Sequence, residues 1–231
     1  MTTSPTSDVG GGDDDRVAIQ LGSPHRLNAI IDGVYAIIMT ILVLDLKVPD
    51  GLSASDTTAD IYALAPRIFA FLVSFGIVAS LWVYPHTVSP LFARSNTTHV
   101  LLNLTALMFA SLIPFCASVM GSLPDSVLGP EIYALIVTAQ HGLHTLDLAV
   151  SQKTLIPKAV SRRLIYKILR RVTTGGILMG LIGLLIAPRY PKLALLLIVI
   201  HFAMFWWVVY SFAGPINRAV HKATMLRGSP A

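Results

Sequence analysis

Apolar residues in this chain of 231 amino acids come in long runs, unlike the alternating or one-sided patterns of a water-soluble core. A helix that crosses a membrane needs about 20 mostly apolar residues, and it makes all its backbone hydrogen bonds internally. The runs of suitable length cover residues 27–46, 61–83, 100–120, 130–150, 173–187 and 191–212. The pattern therefore predicts an all-α, polytopic membrane protein with six transmembrane helices.

The composition supports this class, because 54% of the residues are hydrophobic and only 13% are charged. Soluble proteins carry about 25% charged residues, so a soluble globular enzyme is excluded. The single cysteine, Cys116, excludes an intrachain disulfide and any site built from several cysteines. The sequence shows no Ser-His-Asp set, phosphate-binding glycine loop or paired catalytic carboxylates, so neither enzyme activity nor a cofactor is expected.

The segments outside the apolar runs predict the domain organisation and the orientation. Residues 1–24 are rich in Ser, Thr, Gly and Asp and are expected to form a disordered tail. Residues 25–212 form the predicted transmembrane domain, and residues 213–231 form a second tail. Of the 17 Lys and Arg residues, 13 lie in the two tails with the adjoining Arg26, in the link between spans two and three, and in a basic stretch over 151–172. By the positive-inside rule, we expect the protein to lie in the cell membrane with both termini in the cytoplasm. The net positive charge is therefore interpreted as a topology signal and not as a sign of nucleic-acid binding.

The first span contains two features that suggest function. Asp32 lies six residues after Arg26, and a carboxylate at membrane depth is costly unless it is paired or hydrogen-bonded. At about 100° per residue, Ile37, Thr40 and Leu44 share one narrow stripe of the helix, and Asp32 points about 140° away. One face therefore carries a hydroxyl between two large apolar side chains, and another carries a carboxylate.

These residues belong to motifs that extend through the first three spans. Arg26 and Asp32 have the spacing of an arginine, three residues and Phe-Ser-Asp, with Ile30 and Ile31 in place of the Phe-Ser pair. Further matches are Gly33-Val34, Ala36-Ile37, Thr40, Leu42-Val43-Leu44, Lys47-Val48-Pro49, Trp82 with Pro85 and His86, Leu102-Asn103-Leu104 and Leu112-Ile113-Pro114-Phe115. Over roughly residues 26–120 the chain resembles the transmembrane protein 175 family of potassium channels, whereas spans four to six agree in hydropathy only.

The resemblance implies a passive, modestly potassium-selective channel. Because the chain holds one six-span unit, it resembles the prokaryotic members, which assemble as homotetramers around a central pore lined by the first helix. Ile37, Thr40 and Leu44 of each subunit would then face the pore. Rings of isoleucine and leucine would form apolar constrictions that gate the pore by dewetting, and the threonine hydroxyls would offer oxygens to potassium. The expected partners are further copies of the chain, the lipid bilayer and potassium ions, with no nucleic acid.

The resemblance also implies a polar network near the cytoplasmic ends of spans one and two. Its members would be Arg26, Asp32, Trp82 and His86. Such a network would hold helix one in register or set the gate, and a static packing role is the simpler alternative.

Span four carries a second group of polar residues. His141, His144 and Asp147 are spaced three apart and share a broad helix face. Such residues can ligate a metal or relay protons, which suggests a proton-coupled transporter or a metal-binding membrane protein as an alternative function. Ordinary hydrogen bonding between helices is the simpler explanation of the same pattern.

Overall fold

The computed structural model of the protein describes residues 24–47, 62 and 64–228, and this part of the chain contains helices and short connections but no strand. The helices are α1 (Pro24–Ile41), α2 (Ala65–Val88), α3 (Thr97–Ala110), α4 (Ile113–Ser122), α5 (Leu128–Ser151), α6 (Arg162–Val172), α7 (Leu178–Ile186) and α8 (Pro191–Gly228). The predicted all-α class is therefore confirmed. Except for Pro24, the predicted disordered tail over residues 1–24 lies outside the described residues. The predicted second tail continues α8 as far as Gly228.

Several described segments are long and apolar enough to cross a membrane. They are Pro24–Asp45, Ala65–Leu91, Thr97–Ser122, Arg162–Ile186 and Pro191–Met225. The third segment joins α3 and α4 across a break at Ser111 and Leu112, and Pro114 occupies the first turn of α4, where its missing N–H is tolerated. The chain is a multi-pass membrane protein.

The fourth predicted span is α5, which is 24 residues long but does not belong to that apolar set. It packs against α3, α4, α7 and α8. Its polar side chains Gln140, His141, His144 and Asp147 are all buried. Because α5 faces other helices on most sides, it needs fewer lipid-compatible residues than a helix at the edge of the bundle.

Close contact between α5 and α7 depends on glycine. A Cβ atom on Gly176 would overlap the imidazole of His141, and one on Gly180 would overlap the side chain of Thr138. A Cβ on Gly183 would lie 3.2 Å from the methyl group of Ala134. The glycine row of the fifth span therefore forms a contact within one chain, as small residues commonly do between membrane helices.

The prediction for the basic stretch was wrong in part. The sequence predicts a link over 151–172 and a fifth span that begins at residue 173, but the helical segment already begins at Arg162. It passes from α6 through a π-helical turn, Thr173–Ile177, into α7. Ile165 and Ile168 are buried, while the charged side chains of α6 are exposed. The segment is therefore an amphipathic helix, with its apolar residues on one side and its charges on the other.

Candidate functional site

Helix α1 lies at the edge of the bundle, where it packs mainly against α2 and α3. Its buried face consists of Leu27, Ile31, Tyr35 and Ile38, and Leu42 continues that face into a short 3₁₀ turn, Leu42–Asp45. These positions recur every three or four residues, which is the spacing of one side of a helix. The opposite side of α1 is left without a covering helix in the described part of the chain.

The predicted stripe lies on this uncovered side. Ile37 is 58% exposed, Leu44 is 66% exposed and Thr40 is exposed between them. The Thr40 hydroxyl donates to the carbonyl oxygen of Ile37 at 2.8 Å, so its proton points into the helix. The hydroxyl oxygen keeps its acceptor capacity for a group outside the helix. The structure thus presents an apolar strip with an oxygen acceptor in its middle.

Three of the four predicted network residues meet where the middle of α1 lies against the last two turns of α2. Trp82 on α2 donates from Nε1 to Oδ1 of Asp32 at 2.8 Å. The ring of His86 lies one turn further along α2, with its centroid 4.8 Å from that of Trp82. Arg26 is exposed, and among the described residues no ion pair joins it to Asp32. The structure therefore links Asp32, Trp82 and His86 and leaves Arg26 outside the group.

Asp32 also borders an open pocket of about 310 Å³ between the ends of α1 and α2. Asn28, Pro85 and His86 are among the other lining residues. The open pocket beside Asp32 and the hydrogen bond from Trp82 lower the cost of placing a carboxylate on a membrane-spanning helix. These two features explain how the carboxylate of Asp32 is tolerated within an apolar segment.

Replacing Trp82 with phenylalanine tests this anchor. We expect loss of the hydrogen bond to Asp32 to destabilise the folded protein by about 1 kcal/mol and to speed hydrogen exchange in residues 24–32. Hydrogen exchange with mass spectrometry on the purified protein measures the effect. The control is Trp206→Phe on α8, and equal exchange in the two variants would contradict an anchoring role for Trp82.

The polar residues of α5 take part in a buried network that ties α5 to α3. The Asp147 carboxylate contacts Nδ1 of His99 at 2.8 Å and accepts from Nδ2 of Asn103 at 3.1 Å. It also accepts from the hydroxyl of Ser151 at 3.1 Å. Sequence reasoning missed His99 and Asn103 as partners, although their spacing of four places them on one face of α3.

The other two predicted residues of α5 have separate surroundings. The Nδ1 atom of His141 lies 2.8 Å from the carbonyl oxygen of Val137, and its ring meets that of His201 at 5.0 Å. The ring of His144 lies against Tyr84 at 4.7 Å. The described residues contain no group of three His, Cys, Asp or Glu side chains arranged to hold a metal ion. His141, His144 and Asp147 therefore do not meet as one ligand set.

Known proteins resemble the chain in the part that contains these features. Residues 26–114 match the family model described as the endosomal/lysosomal potassium channel TMEM175. A potassium channel from Chamaesiphon minutus is 31% identical over 119 residues, which cover 49% of this chain and 59% of that protein. The human endosomal/lysosomal proton channel TMEM175 is 33% identical over 100 residues, which cover 40% of this chain and 20% of that protein.

A solved structure extends the likeness to most of the chain. It is the crystal structure of a lysosomal potassium-selective channel TMEM175 homolog from Chamaesiphon minutus, with a TM-score of 0.71 and 23% identity. The alignment covers 80% of this chain and 97% of that one, so the helical fold is shared beyond the matched sequence. The sequence match spans only about three fifths of the curated bacterial relative. Residues 26–114 are thus similar in sequence to the transmembrane protein 175 family, and most of the chain shares the helical fold of the Chamaesiphon structure.

Proposed function

We propose that the chain forms a passive, modestly potassium-selective cation channel of the cell membrane, a homotetramer with a central pore lined by α1. The supporting observation is the exposed stripe of Ile37, Thr40 and Leu44, which lies on the side of α1 that no helix covers among the described residues. The similar protein from Chamaesiphon minutus is a potassium channel. Four such stripes around an axis give a pore with apolar walls and one layer of hydroxyl oxygens.

Each residue of the stripe has a distinct role in this channel. Rings of Ile37 and Leu44 form two apolar constrictions, and a narrow apolar constriction blocks ions because water leaves it. The ring of Thr40 lies between them and supplies oxygens that replace part of the hydration shell of potassium. Hydroxyl oxygens on side chains discriminate between ions of different size less strictly than a rigid ring of backbone carbonyls does, so the selectivity for potassium is modest.

The polar group of Asp32, Trp82 and His86 lies at the cytoplasmic mouth in this proposal, because both termini are cytoplasmic by the distribution of Lys and Arg. In the same proposal, residues 25–212 form the channel unit and residues 1–24 and 213–231 form cytoplasmic tails. The channel has no enzyme activity and needs no cofactor. The Trp82 hydrogen bond holds α1 in register against α2. Arg26 lies exposed near the start of α1 and is not part of this group.

The proposal is tested with purified protein in liposomes under opposed potassium and sodium gradients. Potassium flux should exceed that of empty liposomes after a protonophore has removed any proton gradient, and Thr40→Ala should move the potassium-to-sodium ratio toward one. Thr105→Ala on α3 is the matched control, since its hydroxyl donates to Leu101 as that of Thr40 donates to Ile37. Flux that needs a proton gradient, or equal ratios in the two variants, would contradict the proposal.

A further inference from the structure

Acidic and basic residues are distributed very unevenly along the chain. The last acid is Asp147, and residues 148–231 contain 12 Lys or Arg side chains and no Asp or Glu. Asp147 is itself buried in the contact with His99. The positive charges in residues 148–231 are therefore not interspersed with acids along the sequence.

Helix α6 gathers part of this charge on one exposed face. At about 100° per residue, Arg163, Lys167 and Arg170 lie within roughly 60° of one another, with Tyr166 beside them. All four side chains are exposed. Ile165 and Ile168 point to the opposite side, into the cluster of apolar residues shared with α8. The charges thus project away from the bundle as a continuous basic stripe.

Aromatic residues of α8 beside the end of α6 indicate where the basic stripe lies relative to the membrane surface. The guanidinium carbon of Arg171 lies 5.9 Å from the ring centroid of Trp207 and 5.1 Å from that of Phe212. Arg171 also donates to the hydroxyl of Ser211 at 3.2 Å. Trp207 is 65% exposed, and exposed tryptophans of membrane helices lie preferentially at the headgroup level. Since α6 ends beside this residue, its basic stripe lies at and just outside that level.

We propose that the stripe of Arg163, Lys167 and Arg170 binds the phosphate groups of anionic phospholipids in the leaflet at this end of the bundle. Basic clusters next to a membrane helix attract anionic lipid, and each Lys or Arg near the surface contributes about a fivefold gain in affinity. Tyr166 and Trp207 fit the same boundary, because amphipathic rings prefer it. The site is independent of ion conduction and leaves the channel proposal untouched.

Fluorescence quenching tests the proposal on the full chain in mixed bilayers. Trp207 lies beside the stripe, so lipids with brominated acyl chains that bind there quench the emission of tryptophan. We expect brominated phosphatidylglycerol to compete for this position at least about tenfold better than brominated phosphatidylcholine. Arg163→Gln combined with Lys167→Gln should remove most of that preference. Both side chains are exposed, and size-exclusion chromatography verifies that the variant keeps its assembly.

The matched control is the double variant Arg189→Gln and Lys192→Gln in and after the turn between α7 and α8, which removes the same charge at the opposite end of those helices. It should keep the full preference for the anionic lipid. Equal quenching by the two lipids in the unmodified protein, or equal loss in both double variants, would overturn the proposal.

Discussion

Ile37→Ala is expected to raise passive potassium flux by at least about tenfold, the effect of lowering the conduction barrier by about 1.4 kcal/mol. In the proposed pore, four isoleucines form an apolar ring, and truncation of each to a methyl group widens the ring so that water remains in it. Side-chain removal should cost little stability, because Ile37 is 58% exposed in the single chain. Flux from proteoliposomes loaded with potassium, normalised to protein content, measures the change.

The matched control for this prediction is Ile200→Ala on α8. Ile200 is 48% exposed on another apolar helix, and the substitution removes the same atoms. If both variants conduct as the unmodified protein does, or if both rise equally, the stripe of α1 does not limit conduction. A rise confined to the α1 variant is the result that the proposed gate requires.

Asp147→Leu is expected to destabilise the protein by about 3–5 kcal/mol, the largest stability effect that we predict. The substitution removes the shared acceptor of His99, Asn103 and Ser151 and leaves their polar groups buried without it. The network joins α3 to α5, so its loss weakens the centre of the bundle. Asp147→Asn keeps one acceptor oxygen and should lose less. Thermal unfolding in a single detergent, followed by tryptophan fluorescence, measures both variants.

Asp125→Leu serves as the control for the buried carboxylate. Asp125 contacts Lys192 at 3.2 Å, but both side chains are more than four-fifths exposed. Exposed ion pairs contribute about 1 kcal/mol or less, so this variant should unfold close to the unmodified protein. A similar loss of unfolding stability in Asp147→Leu and Asp125→Leu would show that the buried network contributes no more to stability than an exposed ion pair.

The fold could be predicted from the sequence where a helix faces lipid. Apolar runs of about 20 residues satisfy the bilayer by themselves, which is why the spans at α1, α2 and α8 were located from hydropathy. The position of α5 could not be predicted from hydropathy alone, because its histidines and Asp147 are tolerated only where neighbouring helices bury them. Hydropathy alone misplaces the start of the fifth span, because the many charged residues of α6 lower its mean hydropathy although they lie on the exposed side of a helix.

The candidate site shows the same division. The stripe of Ile37, Thr40 and Leu44 follows from helical periodicity. The resemblance to the family implied a network of Arg26, Asp32, Trp82 and His86, and the hydrogen bond between Asp32 and Trp82 appears only in the structure. The partner of Asp147 could not be read from a local pattern, since His99 lies 48 residues earlier in the chain. Long-range polar contacts depend on how helices pack, and hydropathy does not record this.

The most direct test of the central claim, that α1 lines the pore, is chemical modification of a cysteine at position 40. The only native cysteine, Cys116, is buried, so in a Cys116→Ser background the new thiol is the sole target. A charged, membrane-impermeant methanethiosulfonate reagent should block potassium flux in Thr40→Cys and leave flux unchanged in the matched Thr105→Cys. Modification of Thr40→Cys without any change in flux, or equal block in both variants, would contradict the account.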